Sequence, residues 1–458
     1  MSQVKVEEEI QSAQNDGAAP TAPGIPEPEI KPEDVITPTI ISAILDGYNH
    51  PELSLVDFQA KQGTMAGDNY MSIMYSLNIN LKNATSGDSQ ALPVMLKVLP
   101  RNEFRLKMIR DANIFVRDVN MYKMVLPSME EFQKKAGFEA DEIIRPWPTC
   151  YACKTDGEND FLAMEDLKTQ GFKMANRKEG LDFDHSKLFV TTLAKFHAIS
   201  FAMFMGEFDA ILEKYPWLEE SMYNEDKIPD TFKLFIEGTF TQHANMLKEV
   251  GEEKAGTLVG KICNADYYKH LFSLVGGKVP FAVIGHGDCW TNNLMFRYDP
   301  ETNKPVEIKF VDYQVSRVSS RAVDIHYFLY TSPQVNVLNE KEDEILKVYF
   351  DEFTKFVRKL GVDTDAHGLT KEDFDQEIDK FRFSGVISGL MLASIMSAES
   401  ADVPDMESLK EEDFTVNNGE DAMKNLFLNM LKERAMEKIK NIANRHLPRC
   451  AEMKQYLQ

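Results

Sequence analysis

The spacing of hydrophobic and polar residues predicts that the first third of the chain is rich in strands. Residues 69–81 (NYMSIMYSLNINL) alternate between apolar and polar side chains, and residues 91–100 (ALPVMLKVLP) form a second apolar strand after a polar turn. Residues 114–132 carry an apolar stripe at helical spacing. Residues 148–167 then predict a hairpin whose turn is TDGEN.

From about residue 184 onward the apolar spacing becomes mainly helical. The helical stretches are 185–205, 227–250, 342–361, 372–395 and 422–446. One non-helical island interrupts them at 280–315, where NLMFRYD and VEIKFVDY alternate on either side of the turn PETNKP. The pattern therefore predicts a small β-rich part, then a larger helical part that contains one β-hairpin.

The N-terminal segment differs in composition from the rest. Residues 1–36 are acidic and rich in Ala and Pro, which predicts a disordered tail because too little apolar surface is present to offset the entropy of ordering. Thr37 and Pro38 fit the N-cap and first position of a helix. The start of the chain shows no basic region followed by an apolar core, and the apolar segment 384–396 is shorter than the ~20 residues of a membrane span, so a cytoplasmic protein is expected.

Charge and cysteine content narrow the class of partner. The 458 residues include 51 Lys+Arg and 73 Asp+Glu, a net charge of −22 that disfavours binding to nucleic acid or to anionic membranes. Five cysteines do not suggest a disulfide framework, so a reducing compartment is expected. Cys150 and Cys153 form a C-x-x-C without a second ligand pair for zinc or a βαβ context, and a structural role is predicted for them. The oligomeric state is left open.

The stretch GHGDCWTNNLMF (285–296) carries the candidate chemistry. It places Asp288 directly after the apolar run PFAVI and Asn293 five positions later, and Asp312 closes the following hairpin. Asn, Gly and Asp are also ordinary turn residues. Phosphoryl transfer, however, needs a carboxylate near the attacking hydroxyl and oxygen ligands for Mg²⁺, and one loop with its adjoining hairpin can present all of them.

HGDCWTNNLMF together with IKFVDYQ resembles the ecdysteroid kinase-like family, also called choline-kinase-like, and the resemblance runs from about residue 38 to the C-terminus. That family belongs to the protein-kinase-like superfamily with choline kinases and aminoglycoside phosphotransferases. The resemblance implies an α+β, two-lobed kinase-like fold. Its parts would be the N-lobe at 37–164, a hinge at 165–169 and a mainly helical C-lobe at 170–458.

The resemblance also implies roles in the catalytic loop. Asp288 would orient the substrate hydroxyl and accept its proton, while Asn293 and Asp312 would hold Mg²⁺. Residues expected to support the loop are His286, Asn292 and Asp324. His197, on the helix at 185–205, is expected to be a packing or surface histidine.

An ATP site is implied in the first third. AGDNYMSIMYSLNI resembles the family's phosphate-covering loop, in which the matching residues are Gly67, Asp68, Asn69 and Ser72. Lys97, inside the strand VMLKVL, is either an edge residue or the cation for the α/β-phosphates. Its partner in the family pattern E-x-x-x-Y is here Asp118, one methylene shorter, so either the helix lies closer or the ion pair is looser. FLAMEDLKTQGF resembles the hinge: the carbonyl of Glu165 and the N–H of Leu167 would bind adenine, and Met164 would line its pocket.

These residues imply transfer of the ATP γ-phosphoryl group to a hydroxyl of a small molecule, with Mg²⁺ as cofactor. The resemblance suggests an ecdysteroid or a similar hydroxylated acceptor. Choline or ethanolamine, a xenobiotic, and a non-catalytic nucleotide-binding pseudokinase remain as alternatives. An acyl hydrolase and a dinucleotide-binding protein are disfavoured, because the chain has neither a G-x-S-x-G elbow nor a G-x-G-x-x-G loop.

Overall fold

The computed structural model describes residues 32–63, 72–100, 102–157, 159–221, 223, 230–262, 267–398 and 433–456. Most of the predicted tail, residues 1–31, lies outside these ranges. The tail was predicted to extend to residue 36, but helix α1 (Pro32–Val35) precedes that point and Ile36 is buried. Ile36 packs in the same apolar cluster as the first helices and strands, so the ordered chain begins earlier than predicted.

Helix α2 (Pro38–Tyr48) begins as its sequence predicts. The hydroxyl of Thr37 accepts a hydrogen bond from the backbone N–H of Ile40, and Pro38 occupies the first helical position, where its missing N–H costs nothing. Asn49 ends the helix in the left-handed conformation, with φ of 57°.

A five-stranded antiparallel sheet follows, with the order β1-β2-β3-β5-β4. The strands are β1 (Leu53–Gln62), β2 (Ile73–Asn83), β3 (Ser89–Val98), β4 (Cys150–Lys154) and β5 (Phe161–Glu165). The predicted strands and hairpin are present, but β1 was not predicted, because most of its side chains are exposed and give no alternating signal. One face of the sheet packs its alternate apolar residues against α2.

Between β3 and β4 the chain forms helices α3 (Glu103–Asp111), α4 (Ile114–Asn120) and α5 (Leu126–Lys135). A π-helical turn, Met121–Val125, joins α4 to α5 without a break. Pro127 explains the wider turn, since it cannot donate the helical hydrogen bond and its ring would clash with the carbonyl four residues earlier. The single helix predicted over 114–132 is therefore two helices joined by this turn.

The island predicted at 280–315 consists of short strands. It contains β7 (Ala282–Gly285), β8 (Leu294–Tyr298) and β9 (Pro305–Phe310), and two short strands from outside the island, β6 (Lys173–Met174) and β10 (Arg317–Ser320), pair with them. β8 and β9 form the predicted hairpin, which β6 extends at one edge, and β7 pairs with β10. The loop between β7 and β8 contains the motif HGDCWTNN, so the pairings on both sides fix its two ends.

Helices make up most of the remaining described chain. They are α6 (Phe183–Phe204), α7 (Phe208–Lys214), α8 (Asp230–Glu249), α9 (Glu253–Gly260), α10 (Tyr267–Val275), α11 (Arg321–Thr331), α12 (Val335–Lys359), α13 (Lys371–Ser397) and α14 (Glu433–Asn441). The first part of the helix predicted at 422–446 lies outside the described residues. Helix α6 packs on α12, and α11 packs on α13.

By length and composition α6 is apolar enough to cross a membrane, but 61% of its most apolar window is buried inside the structure. Phe189 of α6 stacks on Phe328 of α11, with ring centroids 4.0 Å apart, which is the environment of a core helix.

The architecture confirms the predicted α+β class, with a β-rich N-terminal part and a mainly helical C-terminal part. The boundaries given for the lobes and the hinge stay predictions.

Candidate active site

Lys97 lies on the inner face of β3 and bonds two carboxylates. Its Nζ is 2.6 Å from Oδ2 of Asp118 and 2.7 Å from Oδ1 of Asp312, and the lysine is 4% exposed. Burial alone would lower the pKa of Lys97, but the two carboxylates outweigh it and raise that pKa. Lys97 is therefore a fixed cation, and a buried charge of this kind is tolerated because it is paired.

Asp118 reaches Lys97 despite its short side chain. Its second oxygen, Oδ1, accepts the backbone N–H of Tyr313 at 2.9 Å. Burial raises the pKa of the Asp118 carboxyl, and the charge of Lys97 opposes that rise. Of the two possibilities left open by the sequence, the closer helix fits this contact, because an N···O distance of 2.6 Å is that of a tight ion pair.

Asp312 follows β9 in an unusual backbone conformation. Its φ is 68°, in the left-handed region that non-glycine residues rarely adopt. The preceding residue, Val311, makes two hydrogen bonds. Its N–H donates to the carbonyl of Asn293 at 3.0 Å, and the Val311 carbonyl accepts a hydrogen bond from Nε2 of His286 at 3.1 Å. The loop and the hairpin together therefore impose the conformation that directs the Asp312 carboxylate to Lys97.

Asp288 has a donor on each carboxylate oxygen. Nδ2 of Asn293 donates to Oδ2 at 2.8 Å and to the Asp288 carbonyl at 3.0 Å, while the hydroxyl of Tyr327 donates to Oδ1. Burial raises the pKa of Asp288 to about 6, assisted by the charge of Asp312 and opposed by the bonds from Tyr327 and Asn293. Asp288 is thus a carboxylate that titrates close to neutral pH.

Asp324 anchors the start of the loop. Its Oδ2 accepts hydrogen bonds from the backbone N–H of His286 at 2.7 Å and from Nε2 of His197 at 3.1 Å. Its Oδ1 accepts a hydrogen bond from the backbone N–H of Gly287 at 3.0 Å. Gly287 has φ of 85°, and a Cβ there would lie 2.1 Å from the carbonyl oxygen of Val315, so only glycine fits. Burial would raise the pKa of Asp324, but the bond from His197 helps to lower it overall.

His286 links this anchor to Asp288 and to the hairpin. Its Nδ1 lies 3.2 Å from the N–H of Asp288 and its Nε2 lies 3.1 Å from the carbonyl of Val311. These partners require the neutral tautomer with the proton on Nε2. Burial lowers the pKa of His286, which agrees with a neutral ring. The geometry is that of the supporting residue that was predicted.

A cleft with an empty volume of about 800 Å³, including its open mouth, lies beside Lys97. Its lining includes Met164, Glu165 and Leu167, the residues for which adenine contacts were predicted. Four further methionines line it: Met74, Met95, Met174 and Met295. No local sequence pattern predicts these methionines as a group, because they come from four different strands. Thioether side chains adapt their shape and pack well against rings, so the cleft suits a flat aromatic group.

Three residues of the predicted phosphate loop, Gly67, Asp68 and Asn69, lie outside the described residues. Ser72 is described and is buried just before β2. Asn292 lines the cleft, and within the described part of the chain its buried amide nitrogen has no hydrogen-bond partner. The loop-supporting role given to Asn292 stays a prediction, and its amide nitrogen is available to a group in the cleft.

A buried charged cluster beside the loop was not predicted. Arg317 is 2.7 Å from Glu220 and donates to the carbonyl of Gly287 at 3.3 Å, and its guanidinium lies 5.8 Å from the ring centroid of Tyr223. Tyr327, also missed, lies three residues after Asp324 on α11. Residues at this spacing share a helix face, which is the signal that could have identified it.

Comparison with known proteins gives distant structural similarities. Choline kinase from Cryptosporidium parvum Iowa II shares 13% identity over 92% of this chain and 99% of its own, with a TM-score of 0.40. Ethanolamine kinase from Plasmodium vivax shares 14% identity over 87% and 85%, with a TM-score of 0.36. Aminoglycoside 2′-phosphotransferase-IIIa, in its GDP complex, shares 12% identity over 86% and 99%, with a TM-score of 0.32.

None of the curated proteins compared matches the chain. The sequence model of the ecdysteroid kinase-like family, in contrast, matches residues 66–362, which is more than half of the chain. The matched region includes Lys97, Asp118, the loop with Asp288, and Asp312. The chain belongs to the ecdysteroid kinase-like family.

Proposed function

We propose that this protein transfers the γ-phosphoryl group of ATP to a hydroxyl group of an ecdysteroid or a similar hydroxylated small molecule, with Mg²⁺ as cofactor. Membership of the ecdysteroid kinase-like family supports the general class, a small-molecule phosphotransferase. The nucleotide, the metal and the acceptor are parts of the proposal, and the arrangement of the site supports each of them.

The observation that carries the proposal is that two carboxylates, Asp288 and Asp312, lie near each other but have different hydrogen-bond partners. Asp312 bonds Lys97, whereas Asp288 is bonded by Tyr327 and Asn293. The two carboxylates are close enough that the charge of Asp312 raises the pKa of Asp288. Two neighbouring carboxylates in different environments can take different roles, one as a ligand for a cation and one as a base.

Asp288 has the properties of the base. With a pKa of about 6 it is mainly ionised at neutral pH, yet it remains basic enough to take a proton as the hydroxyl attacks. Each of its oxygens has one donor and so keeps a lone pair for the acceptor hydroxyl. The bonds from Tyr327 and Asn293 hold the carboxylate in a single orientation, which is how positioning contributes to phosphoryl transfer.

Asp312 and Asn293 fit the needs of a magnesium ion. Asp312 uses Oδ1 for Lys97 and has Oδ2 left, while Asn293 donates through Nδ2 and has its amide oxygen left. Carboxylate and amide oxygens are ligands suited to a hard divalent cation. When bound, Mg²⁺ would neutralise and orient the phosphate groups. Lys97 would add a positive charge on the same side of the cleft.

The charges near Asp288 support a neutral acceptor over choline. A quaternary ammonium group needs aromatic faces or an unpaired carboxylate. Glu220, the buried carboxylate of the neighbouring cluster, is already paired with Arg317 at 2.7 Å, and the guanidinium of Arg117 lies near it as well. The guanidinium of Arg317 also lies 5.8 Å from the ring centroid of Tyr223, so this aromatic face already has a cation beside it. The preference for a neutral acceptor rests on these two paired groups.

The test combines binding and transfer. Thermal shift with Mg²⁺ and ATP measures nucleotide binding, and a phosphorylation screen over ecdysteroids, choline, ethanolamine and glycosides identifies the acceptor. We expect stabilisation by Mg²⁺ with ATP, loss of transfer on chelation, and phosphate transfer to an ecdysteroid but not to choline. Asp288→Asn is the matched control: it should bind ATP and transfer nothing. ATP binding with no transfer to any acceptor would contradict the proposal and favour a pseudokinase.

A further inference from the structure

Cys150 and Cys153, which the proposed reaction does not use, lie on the same face of the edge strand β4. Cys150 is opposite Met164 and Cys153 is opposite Leu162, and a bulge at Tyr151 shifts the register between them. Residues 162 and 164 share a face because strand side chains alternate. Two residues three positions apart on a regular strand would point to opposite faces, so the bulge is what brings the thiols together.

The packing on the two sides of β4 agrees with this register. Tyr151 and Ala152 pack in the apolar cluster between the sheet and α2. Cys150 and Cys153 pack on the other face of the sheet, against the larger apolar core that includes most of the helices. Lys97 is paired with Leu162, so its side chain shares the face of the cysteines. The dithiol therefore lies on the inner face of the sheet, the face that carries the cation of the candidate active site.

The spacing of the two cysteines allows a disulfide. Their partners, Met164 and Leu162, are two positions apart on the opposite strand, which corresponds to about 6.6 Å between the Cα atoms. Disulfides join Cα atoms up to about 6.8 Å apart. Both cysteines are partly exposed, while Cys289 and Cys450 are buried.

The two thiols are also chemically different. A hydrogen bond from the Cys150 thiol lowers the pKa of Cys153, with a smaller effect from Lys123, and the same contact raises the pKa of Cys150. The thiolate is the reactive form of cysteine. Cys153 therefore has the character of an attacking sulfur, and Cys150 lies in the position of a resolving one.

We propose that Cys150 and Cys153 are a peroxide-sensitive dithiol that closes to an intramolecular disulfide. The Cys153 thiolate attacks hydrogen peroxide, its S–O bond forms as the O–O bond breaks, and hydroxide leaves. The Cys150 sulfur then attacks the sulfenic acid: the S–S bond forms, the S–O bond breaks and water leaves. The two sulfurs are oxidised and one peroxide molecule is reduced, so electrons and atoms balance.

Closing this disulfide affects the partner of Lys97. Strand β4 packs on the π-helical turn, which begins three residues after Asp118 at the end of α4. The carboxylate of Asp118 is close enough to raise the pKa of Cys150, and Cys150 likewise raises the pKa of Tyr122 in that turn. The disulfide would tighten β4 around the bulge at Tyr151, and because β4 contacts this turn, we expect the turn and the carboxylate that holds Lys97 to shift with it. This consequence rests on the proposed function, whereas formation of the disulfide does not.

The chemistry is tested on the full chain with Cys263→Ser, which removes the cysteine outside the described residues. After treatment with hydrogen peroxide we expect the intact mass to fall by two hydrogen atoms and a peptide that links Cys150 to Cys153. Cys150→Ser should stop at a dimedone-trapped sulfenic acid on Cys153, and Cys153→Ser should give none. If both cysteines still react with iodoacetamide after the treatment, the proposal is wrong.

The consequence for the site is tested by ATP binding. Oxidation should weaken Mg²⁺-dependent ATP binding several-fold, and dithiothreitol should restore it, while the double variant Cys150→Ser/Cys153→Ser should be insensitive to peroxide. If the disulfide forms but the affinity for ATP does not change, the proposed coupling to Asp118 is wrong, while the proposed oxidation of the dithiol still stands. A reduced protein that binds ATP but phosphorylates nothing would contradict the proposed function and leave the dithiol unaffected.

Discussion

The hydroxyl of Tyr327 donates a hydrogen bond to Oδ1 of Asp288, across the boundary between helix α11 and the loop after β7. Burial raises the pKa of Tyr327 well above its ordinary value, so the phenol stays protonated and always acts as the donor. Because the bond favours the ionised carboxylate, Tyr327 both orients Asp288 and limits the rise in its pKa.

Replacing Tyr327 with Phe should change the pH dependence of the reaction. Without the donor, the pKa of Asp288 should rise by about one unit, the equivalent of one charge-assisted hydrogen bond. We expect kcat to fall about tenfold through loss of positioning, with an unchanged KM for ATP. The measurement is a pH profile of kcat/KM for the acceptor.

The matched control is Tyr330→Phe, one turn further along α11, where the hydroxyl bonds Arg382 rather than Asp288. This variant should keep the wild-type pH profile even where it lowers the melting temperature. Identical pH profiles for Tyr327→Phe and the wild type would show that Tyr327 only packs.

If the proposed transfer occurs with Asp288 as the base, the wild-type protein should lose activity on the acidic side with an apparent pKa of about 6. A base must be ionised to accept a proton, so kcat/KM should rise as the pH rises through this value and level off above it. Stability should change in the opposite direction. Because the folded pKa lies above the unfolded value of about 3.9, the free energy of unfolding should fall as the pH rises from about 4 to about 6 and level off above that. Asp288→Asn should remove the activity at every pH, by a factor of about 10²–10⁴.

The sequence predicted the parts of the site that lie close together along the chain. Asp288 and Asn293 share one loop, and the hairpin that presents Asp312 is defined by local alternation and a turn. Residues contributed by helix packing were not predicted, because the pairing of α6 with α12 and of α11 with α13 depends on side-chain fit rather than on local pattern. Tyr327 belongs to this second group. So does the bond from His197 to Asp324, because the sequence predicted only a packing or surface histidine at that position.

The same distinction applies to the fold. Helix α2 and its cap were predictable because the hydrogen bond from Ile40 to Thr37 is local. Strand β1 was not, because its stability comes from pairing with β2 rather than from its own mostly exposed side chains. The methionines of the cleft were not predictable for the same reason. They lie on separate strands, and the pairing of those strands, rather than any local sequence pattern, brings them together.

Asp324, on α11, should be the residue of the loop's hydrogen-bond network on which stability depends most. Asp324→Ala leaves the N–H groups of His286 and Gly287 and the ring of His197 without their acceptor, and removing one partner of a buried pair costs about 3–5 kcal/mol. Asp324→Asn keeps one oxygen and should cost less. Urea unfolding at pH 7 measures both values.

The pH dependence of these variants gives a second check. The pKa of Asp324 is lowered in the folded protein, so its stabilising effect is present above the unfolded pKa of about 3.9 and is lost as the pH falls through the folded value. The difference in unfolding free energy between wild type and Asp324→Asn should therefore shrink below about pH 4. A constant difference down to low pH would mean that the charge of Asp324 plays no part.

Placing the glutamate of the family pattern at position 118 should impair ATP binding. Asp118 is 1% exposed, already lies 2.6 Å from Lys97, and uses its other oxygen for the N–H of Tyr313. An added methylene has no space there, and overpacking of this kind costs about 1–3 kcal/mol. We expect Asp118→Glu to raise the KM for ATP and to lower the melting temperature.

Asp118→Asn is the control for this substitution, since it keeps the size and removes the charge that holds Lys97. It should raise the KM for ATP with a smaller loss of packing. If Asp118→Glu instead increased kcat/KM, the aspartate would be the residue that limits activity. The short distance between Asp118 and Lys97 would then not be the arrangement that favours phosphoryl transfer. The present geometry favours the opposite result, because the short side chain satisfies Lys97 and the backbone of Tyr313 at the same time.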